Sequence, residues 1–263
     1  MSALAAPPRS TGMGHEVALL IARRARHFAL APGRVIGVLA NPVIYLLVFT
    51  VLFSGALVVP AGYPTMVDYV APGVALIVAL SEIPTGAIAL RLDLSNGLMD
   101  RMRSLPTRRA SIIVSFLLSE TLLTLVVTAL VLGLARLLGW EPPGLGEHLG
   151  VSLALLVVFA FLCAGIAVLV GLLLRSPTTI DSVAALITVV LAFFSNALVP
   201  ITAQPPSLQA ITAFNPMNPV VDSLRRMWHF GELGDAGTVV LVMLGCTLAL
   251  GVTLVALFDR GEQ

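Results

Sequence analysis

Residues 149–174 read LGVSLALLVVFAFLCAGIAVLVGLLL and contain no charged side chain. Crossing the hydrocarbon core of a bilayer, roughly 30 Å thick, takes about 20 apolar residues in a helix, so this stretch is long enough to span a membrane. Its apolar residues run continuously and do not alternate with polar ones, which favours a helix over a strand of a membrane barrel. The stretch therefore predicts a helical integral membrane protein.

Five further apolar runs have a similar character. The hydrophobic fraction of 58%, the charged fraction of 11% and the mean hydropathy of +1.00 lie outside the range of soluble domains. We therefore predict an all-α polytopic membrane protein with six transmembrane helices in one domain, residues 35–263, preceded by a leader at residues 1–34. The six predicted spans are residues 35–59, 69–90, 111–138, 149–174, 182–198 and 237–258.

The arginines are distributed unevenly between the predicted loops. With the N-terminus inside, twelve of the fifteen arginines lie on inner segments, and only Arg136, Arg225 and Arg226 lie outside. Cytoplasmic loops carry an excess of positive charge, so both termini are predicted to be cytoplasmic. The chain contains no lysine, which excludes a nucleotide-binding P-loop, because that loop needs a lysine that reaches the phosphates. Uphill transport would therefore need an ATPase on another chain.

Two segments on the predicted inner side have the pattern of amphipathic helices. Residues 16–30 suit an interfacial helix along the inner leaflet, and the alternative is a solvated basic leader. Residues 93–105, between spans 2 and 3, form a second pattern with an apolar face and a charged face. This second helix either docks a partner protein or connects two spans along the membrane surface. Its apolar face consists of Leu94, Leu98, Met102 and Leu105.

The loop between spans 5 and 6, residues 199–236, is much longer than the other predicted outer loops. It contains two Asn-Pro steps, at 215–216 and 218–219, and then a stretch of helical periodicity. Within that stretch, Asp222 and Arg226 are spaced to pair, and Trp228 suits the aromatic belt at a membrane surface. We expect two short helices that dip into the outer leaflet or lie on it.

Two carboxylates, Glu82 and Glu120, fall within predicted spans. A charge at the bilayer centre costs about 2.5–3.5 kcal/mol on insertion scales, so each side chain should face protein, water or a neutralising proton. They either line a substrate path, carry a proton or hold neighbouring helices together. An enzyme is disfavoured, because no Gly-x-Ser-x-Gly elbow occurs and a zinc-protease motif starting at His15 fails at Leu19. A metal site is not expected.

Three motifs carry a resemblance to a known family. Residues 95–106, SNGLMDRMRSLP, resemble the cytoplasmic signature of type-2 ATP-binding-cassette (ABC) export permeases, closest to the daunorubicin-resistance branch. Residues 194–200, FSNALVP, and residues 215–225, NPMNPVVDSLR, are similar to the pattern of that branch after span 5 and in the outer loop. The match covers essentially the whole chain. One departure is that relatives usually carry an acidic residue just before the glycine, whereas Asn96 precedes Gly97 here.

The resemblance implies a type V ABC exporter-like fold with an N-terminal interfacial helix, a cytoplasmic coupling helix and re-entrant outer helices. It also implies two permeases and two separate ATPase subunits, which bind ATP and Mg, so that this chain holds no cofactor. By position, the coupling residues are Asp93, Leu94, Gly97, Leu98, Asp100, Arg101, Met102 and Leu105. We assign the substrate path to Glu82, Glu120, Phe193, Phe194 and Asn196, and the outer re-entrant region to Asn215, Pro216, Pro219, Arg225 and Trp228.

These observations predict the permease subunit of an ABC exporter in the cytoplasmic membrane of a bacterium, in contact with lipids and with no nucleic-acid partner. Its second permease is either an identical or a related chain. The expected cargo is an amphipathic drug, lipid or secondary metabolite, because the spans offer few fixed charges. The alternative is a proton-coupled drug antiporter that uses Glu82 or Glu120, although the lack of repeated halves argues against it.

Overall fold

The computed structural model describes residues 32–52, 59–60, 62–95 and 109–260. These residues form helices and turns, with no strand among them. The predicted leader helix and residues 96–105 of the predicted coupling helix lie outside the described residues. The long helices are α1 (Pro32–Leu47), α2 (Met66–Ser95), α3 (Arg109–Leu137), α4 (Leu149–Leu173), α5 (Pro177–Phe193) and α8 (Ala236–Arg260), and the short helices are α6 (Pro206–Ala213) and α7 (Met217–Arg225).

Four segments of the described chain are long and apolar enough to cross a membrane. They are Met66–Ser95, Ile113–Leu137, Leu149–Leu173 and Ala236–Leu254. The other two predicted spans correspond to shorter apolar helices, Leu39–Leu52 and Pro177–Phe193. A helix such as α5, with 17 residues, is about 26 Å long at 1.5 Å per residue, slightly less than the hydrocarbon thickness. The helical membrane fold is confirmed, and the six-span topology stays a prediction.

Helix α1 is less regular than the single span predicted for residues 35–59. It contains Pro42, where the sequence predicts a kink, and it passes directly into a π-helical turn, Val48–Leu52. Proline removes one hydrogen bond of the helix, and a π turn widens it locally. The described part of the first span is therefore built from two different helical segments.

Helix α5, which corresponds to the predicted fifth span, covers residues 177–193, whereas the prediction is 182–198. Both ends therefore lie five residues earlier in the chain. Pro177 occupies the first turn of α5, where a fixed φ favours the helix and a missing N–H costs no bond. The helix ends at Phe193 because the Asn215 side chain donates hydrogen bonds to the carbonyls of Leu191 and Phe194, at 2.9 and 2.6 Å. Hydropathy does not reveal such a contact between distant residues.

Helix α2 is the centre of the bundle. Every residue from Met66 to Leu80 is buried, and the helix packs against α1, α3, α4, α5 and α7. It begins at a capping box: the Asp68 N–H donates to the Thr65 hydroxyl at 3.4 Å, and the Thr65 N–H donates to the Asp68 carboxylate at 3.2 Å. A helix that is apolar on every side is expected at such a buried position.

Helix α8 is the opposite case, because most of its surface is exposed. Its exposed side chains include Leu241, Val242, Leu248 and Val252. Large apolar side chains in an outward-facing row indicate a surface that lipid or another chain covers. The described helices therefore combine a largely apolar interior with large apolar side chains on the outside, as expected of a membrane protein.

Candidate functional site

The segment between α5 and α8 packs against the N-terminal end of α2, and we call residues 194–230 the cap. The cap contains a 3-10 turn, Ile201–Ala203, then α6, α7 and a π turn, Arg226–Phe230. The two short helices expected in this loop are therefore present. The apolar residues of the second helix and of the π turn after it are buried, namely Val220, Val221, Leu224 and Trp228.

The first Asn-Pro step closes the end of α5 and opens α7. The Asn215 amide donates to the last carbonyls of α5, which have no donor within the helix. Its Oδ1 accepts a hydrogen bond from the Met217 N–H at 2.9 Å. Pro216 and Pro219 lie at the beginning of α7, where the absence of an N–H leaves no helical carbonyl without a donor. The motif is thus a structural junction.

The second Asn-Pro step ties α6 and α7 to the turn after α5. The Asn218 side chain donates to the Thr212 carbonyl at 2.6 Å and accepts from the Asn196 N–H at 2.9 Å. The Thr212 hydroxyl in turn donates to the Gln204 side chain at 2.7 Å. Side-chain amides therefore form hydrogen bonds with backbone groups that have no backbone partner in these irregular turns.

Arg225 is buried at the centre of the cap, with 3% of its surface exposed. Its Nε donates to the Tyr69 carbonyl at 3.0 Å, and its Nη2 donates to the carbonyls of Asn196 and Ala197 at 2.7 and 3.0 Å. Its Nη1 lies 3.5 Å from the Asp222 carboxylate. The guanidinium carbon is 3.6 Å from the centre of the Tyr69 ring, which is a cation–π contact.

This arrangement corrects the charge pairing predicted for the second cap helix. The i,i+4 spacing predicts an Asp222–Arg226 pair, but Asp222 pairs with Arg225 and Arg226 is exposed. Burial lowers the pKa of the Arg225 guanidinium, yet arginine has so high a pKa that the group stays charged. A buried charge is stable only when its N–H groups have acceptors, and the carbonyls of Tyr69, Asn196 and Ala197 and the Asp222 carboxylate are the acceptors for Arg225.

Two of the residues assigned to a substrate path, Asn196 and Phe193, have different surroundings. Asn196 is buried in the Arg225 network: its carbonyl also accepts from the Tyr69 hydroxyl at 3.0 Å, and its side chain donates to Asp222 at 2.7 Å. Phe193 is half exposed on α5 and meets the Tyr45 ring edge-on, with ring centroids 5.8 Å apart. Asn196 therefore faces the protein, whereas Phe193 faces outward.

Trp228 is also placed differently from its predicted position in an aromatic belt. Its indole is 1% exposed, donates to the Ser152 hydroxyl at 2.8 Å and meets the Trp140 ring edge-on at 5.3 Å. The next residue, His229, has its Nε2 2.7 Å from the Gly62 carbonyl. Because a carbonyl only accepts, this nitrogen carries the proton. These contacts attach the end of the cap to α4 and to the loop before α2.

The two carboxylates predicted within spans are both buried, at 5% exposure each. Glu82 of α2 accepts a hydrogen bond from the Thr85 hydroxyl at 3.1 Å. Glu120 of α3 packs against Gly86 of α2, with Oε2 3.7 Å from the position that a Cβ on Gly86 would take. Gly86 lies one helical turn, about 6 Å, after Glu82, so the two buried carboxylates lie at a similar depth along α2. They lie about 20 Å along α2 from Tyr69.

Of the eight predicted coupling residues, only Asp93 and Leu94 belong to the described part of the chain. Both are half-buried at the C-terminal end of α2. That helix has 30 residues and is therefore about 45 Å long, so it connects the cap to the start of the coupling segment. No group of three or more His, Cys, Asp or Glu that suits a metal ion occurs in the part of the chain that the structure describes.

The fold defines a helical membrane protein, and comparison with known sequences defines its family. The profile of the ABC-2 type transporter family matches residues 15–227, so the chain belongs to that family. It is 31% identical over 225 residues to the daunorubicin resistance ABC transporter permease protein DrrB1 of Streptomyces coeruleorubidus, covering 84% of this chain and 76% of the relative. The resemblance to the daunorubicin-resistance branch is confirmed.

Two further relatives are more distant. The chain is 28% identical over 192 residues to a probable doxorubicin resistance ABC transporter permease protein, DrrC, of Mycobacterium tuberculosis, covering 73% of this chain and 68% of the relative. It is 24% identical over 227 residues to a putative transport permease, ycf38, of Pyropia yezoensis, covering 82% and 77%. All three names describe permeases, which is consistent with a chain that has no catalytic role of its own.

Proposed function

We propose that this chain is the permease subunit of an ABC exporter that moves an amphipathic drug, lipid or secondary metabolite out of a bacterial cell. Its relationship to permeases named for daunorubicin and doxorubicin resistance is the observation that supports this most directly. A separate subunit supplies ATP hydrolysis, because this chain has no lysine with which to build a P-loop. ATP and Mg bind to that subunit, and this chain needs no cofactor.

The proposed transporter contains two permeases, identical or related, and two ATPase subunits. Each permease crosses the cytoplasmic membrane six times, with both termini inside, in keeping with the arginine distribution. The shorter helices α1 and α5 complete the six spans where the bilayer thins locally. The exposed apolar surface of α8 suits contact with lipid or with the second permease.

Coupling is proposed to run through residues 93–105. ATP binding closes the ATPase subunits and pushes on this helix, and the push switches the permease pair between two arrangements. Helix α2 joins the cap to this segment as one element, although Pro72 and Pro84 lie within it, and this supports the proposal because a single element connects the two regions. Asp93 or Asp100 is the candidate to replace the acidic residue that relatives carry before the glycine.

Cargo is proposed to enter sideways from the inner leaflet. The described spans carry few charged side chains, and their interior polar groups are mainly hydroxyls and the pair Glu82 and Glu120. Such an interior suits an amphipathic molecule better than a sugar or an ion.

The test of the assembly is purification of the tagged chain from its native membrane in mild detergent. We expect an ABC ATPase to co-purify in equal amount and the preparation to hydrolyse ATP. Recovery of a stable, transport-active chain with no nucleotide-binding protein would contradict the proposal. Mass spectrometry of the same preparation shows whether the second permease is identical or related.

A proton-coupled antiporter is the second candidate, because Glu82 and Glu120 are both buried at a similar depth along α2. If transport is driven by ATP, collapsing the proton gradient with an ionophore should leave the initial uptake rate of reconstituted vesicles unchanged. Any loss of uptake in Glu82→Gln or Glu120→Gln should then reflect weaker cargo binding, with the remaining uptake still driven by ATP and insensitive to the ionophore, and the exposed control Glu147→Gln should behave like the unsubstituted chain. An antiporter would instead lose uptake with the ionophore and with one of the two buried substitutions, but not with the control.

A further inference from the structure

We infer that Arg225 makes the cap, including the turn after α5, and the N-terminal end of α2 one rigid unit that moves as a whole during export. The cap would then not act as a lid that opens for each cargo molecule. This inference rests on the proposed function, because it concerns the export cycle. Arg225 is a positioning residue in this account, since it touches protein and not cargo.

The contacts of Arg225 join three separate parts of the chain. One donor reaches the Tyr69 carbonyl in α2, and another reaches the Asn196 and Ala197 carbonyls in the turn after α5. Arg225 itself is the last residue of α7 in the cap. A planar guanidinium with five donors satisfies carbonyls in several directions at once, which the single ammonium of lysine does not.

Opening the cap away from α2 would break the contacts to Tyr69 together. The guanidinium would lose the Tyr69 carbonyl and the face of the Tyr69 ring, and the Tyr69 hydroxyl would lose the Asn196 carbonyl. Buried polar groups that lose their partners are costly, and more so near a membrane, where water does not replace them. Separation of the cap from α2 is therefore costly.

Backbone packing at the same contact supports a closed unit. Gly73 of α2 lies so close to Ala197 that a Cβ on the glycine would fall 2.8 Å from the Ala197 Cα. Backbones in direct contact interlock, and small displacements between them produce clashes. The far end of the cap is attached in the same way, because the Trp228 carbonyl accepts from the Gly144 N–H at 3.0 Å.

The experiment measures the distance between two spin labels, one on each side of the contact. The labels are placed at Pro64→Cys, before α2, and at Phe214→Cys, in the cap; both positions are exposed. The chain carries alanine in place of Cys163 and Cys246 and is diluted with unlabelled chain. Distances are recorded in the reconstituted complex without nucleotide, during ATP turnover and with ATP trapped. We expect one narrow distance distribution that is the same in all three states.

Arg225→Lys is expected to broaden that distribution, because lysine keeps the positive charge but lacks the planar guanidinium with its five N–H donors. The matched control is Arg226→Lys, at the adjacent exposed arginine, which should leave the distribution narrow. Tyr69→Phe removes only the hydroxyl bond to Asn196 and is a milder second variant should Arg225→Lys fail to fold; it should also broaden the distribution.

Two results would overturn the inference. A distance that changes between nucleotide states in the unsubstituted complex would mean that the cap opens. A distribution that stays narrow in both Arg225→Lys and Tyr69→Phe would mean that Arg225 does not hold the unit together. ATP-driven uptake by the same labelled complex tests the proposed function separately, because a complex that shows no such uptake would contradict that function. The comparison of Arg225→Lys with Arg226→Lys needs no ATP, so it decides the role of Arg225 in either case.

Discussion

Replacing Gly73 by alanine is expected to destabilise the protein severely. An added Cβ would meet the backbone of Ala197, 2.7 Å from its carbonyl carbon and 2.8 Å from its Cα. Backbone atoms cannot rotate away as a flexible side chain does, so the turn after α5 must shift. Inserting a methyl group into a filled core costs about 1–3 kcal/mol and sometimes more. The Arg225 hydrogen bonds to Asn196 and Ala197 would be displaced with it.

The measurement is thermal unfolding in detergent, followed by the fluorescence of Trp140 and Trp228. Gly133→Ala in α3 is the matched control, because no atom lies within 4 Å of its Cβ position and alanine favours a helix. We expect Gly73→Ala to lower the midpoint and Gly133→Ala to keep or raise it. Equal midpoints in the two variants would mean that the contact between α2 and the cap is looser than described.

Leu98→Asp is expected to uncouple the permease from its ATPase. Leu98 lies on the predicted apolar face of the coupling helix, together with Leu94, Met102 and Leu105. A charge buried in such an interface without a partner costs about 3–5 kcal/mol, a loss in affinity of roughly a hundredfold or more. Transport should therefore fall to background although the permease still folds.

The control is Asn96→Asp, which adds the same charge on the opposite side of the helix, about 160° from Leu98. It also restores an acidic residue before Gly97, so coupling should persist or become stronger. The readouts are co-purification with the ATPase and the ATPase rate of the complex. Normal co-purification and ATPase rate in Leu98→Asp would contradict the assignment of this segment as the coupling helix.

The sequence predicts α2, α3, α4 and α8 well because each contains a long, continuous apolar run, and such a run has few alternatives to a helix. The position of α5 is harder to predict. Its boundaries depend on Pro177 at one end and on the Asn215 amide at the other, and the second is a contact between residues far apart in the chain. The end of α1 at Leu47 is likewise determined by the π turn Val48–Leu52, which no local sequence pattern predicts.

The burial of Arg225 is the main feature of the site that the sequence left unpredicted. Arg225 follows two Asn-Pro steps in a loop, and a segment of that composition is expected to form a turn exposed to solvent. Its helical position nevertheless contained a signal, since Val221 lies four residues before it and Trp228 three residues after it, both on the buried face. The two Asn-Pro steps stand out in the sequence, but the hydrogen bonds that Asn215 makes to the end of α5 and the start of α7 depend on the packing of these two helices.

The most direct test of the central claim is uptake of a panel of fluorescent amphipathic drugs and lipids by inside-out vesicles that contain this permease and its ATPase. We expect accumulation with ATP when the proton gradient has been collapsed, and none when the P-loop lysine of the ATPase is replaced. Accumulation driven by a pH gradient in the absence of ATP and of an active ATPase would contradict the account.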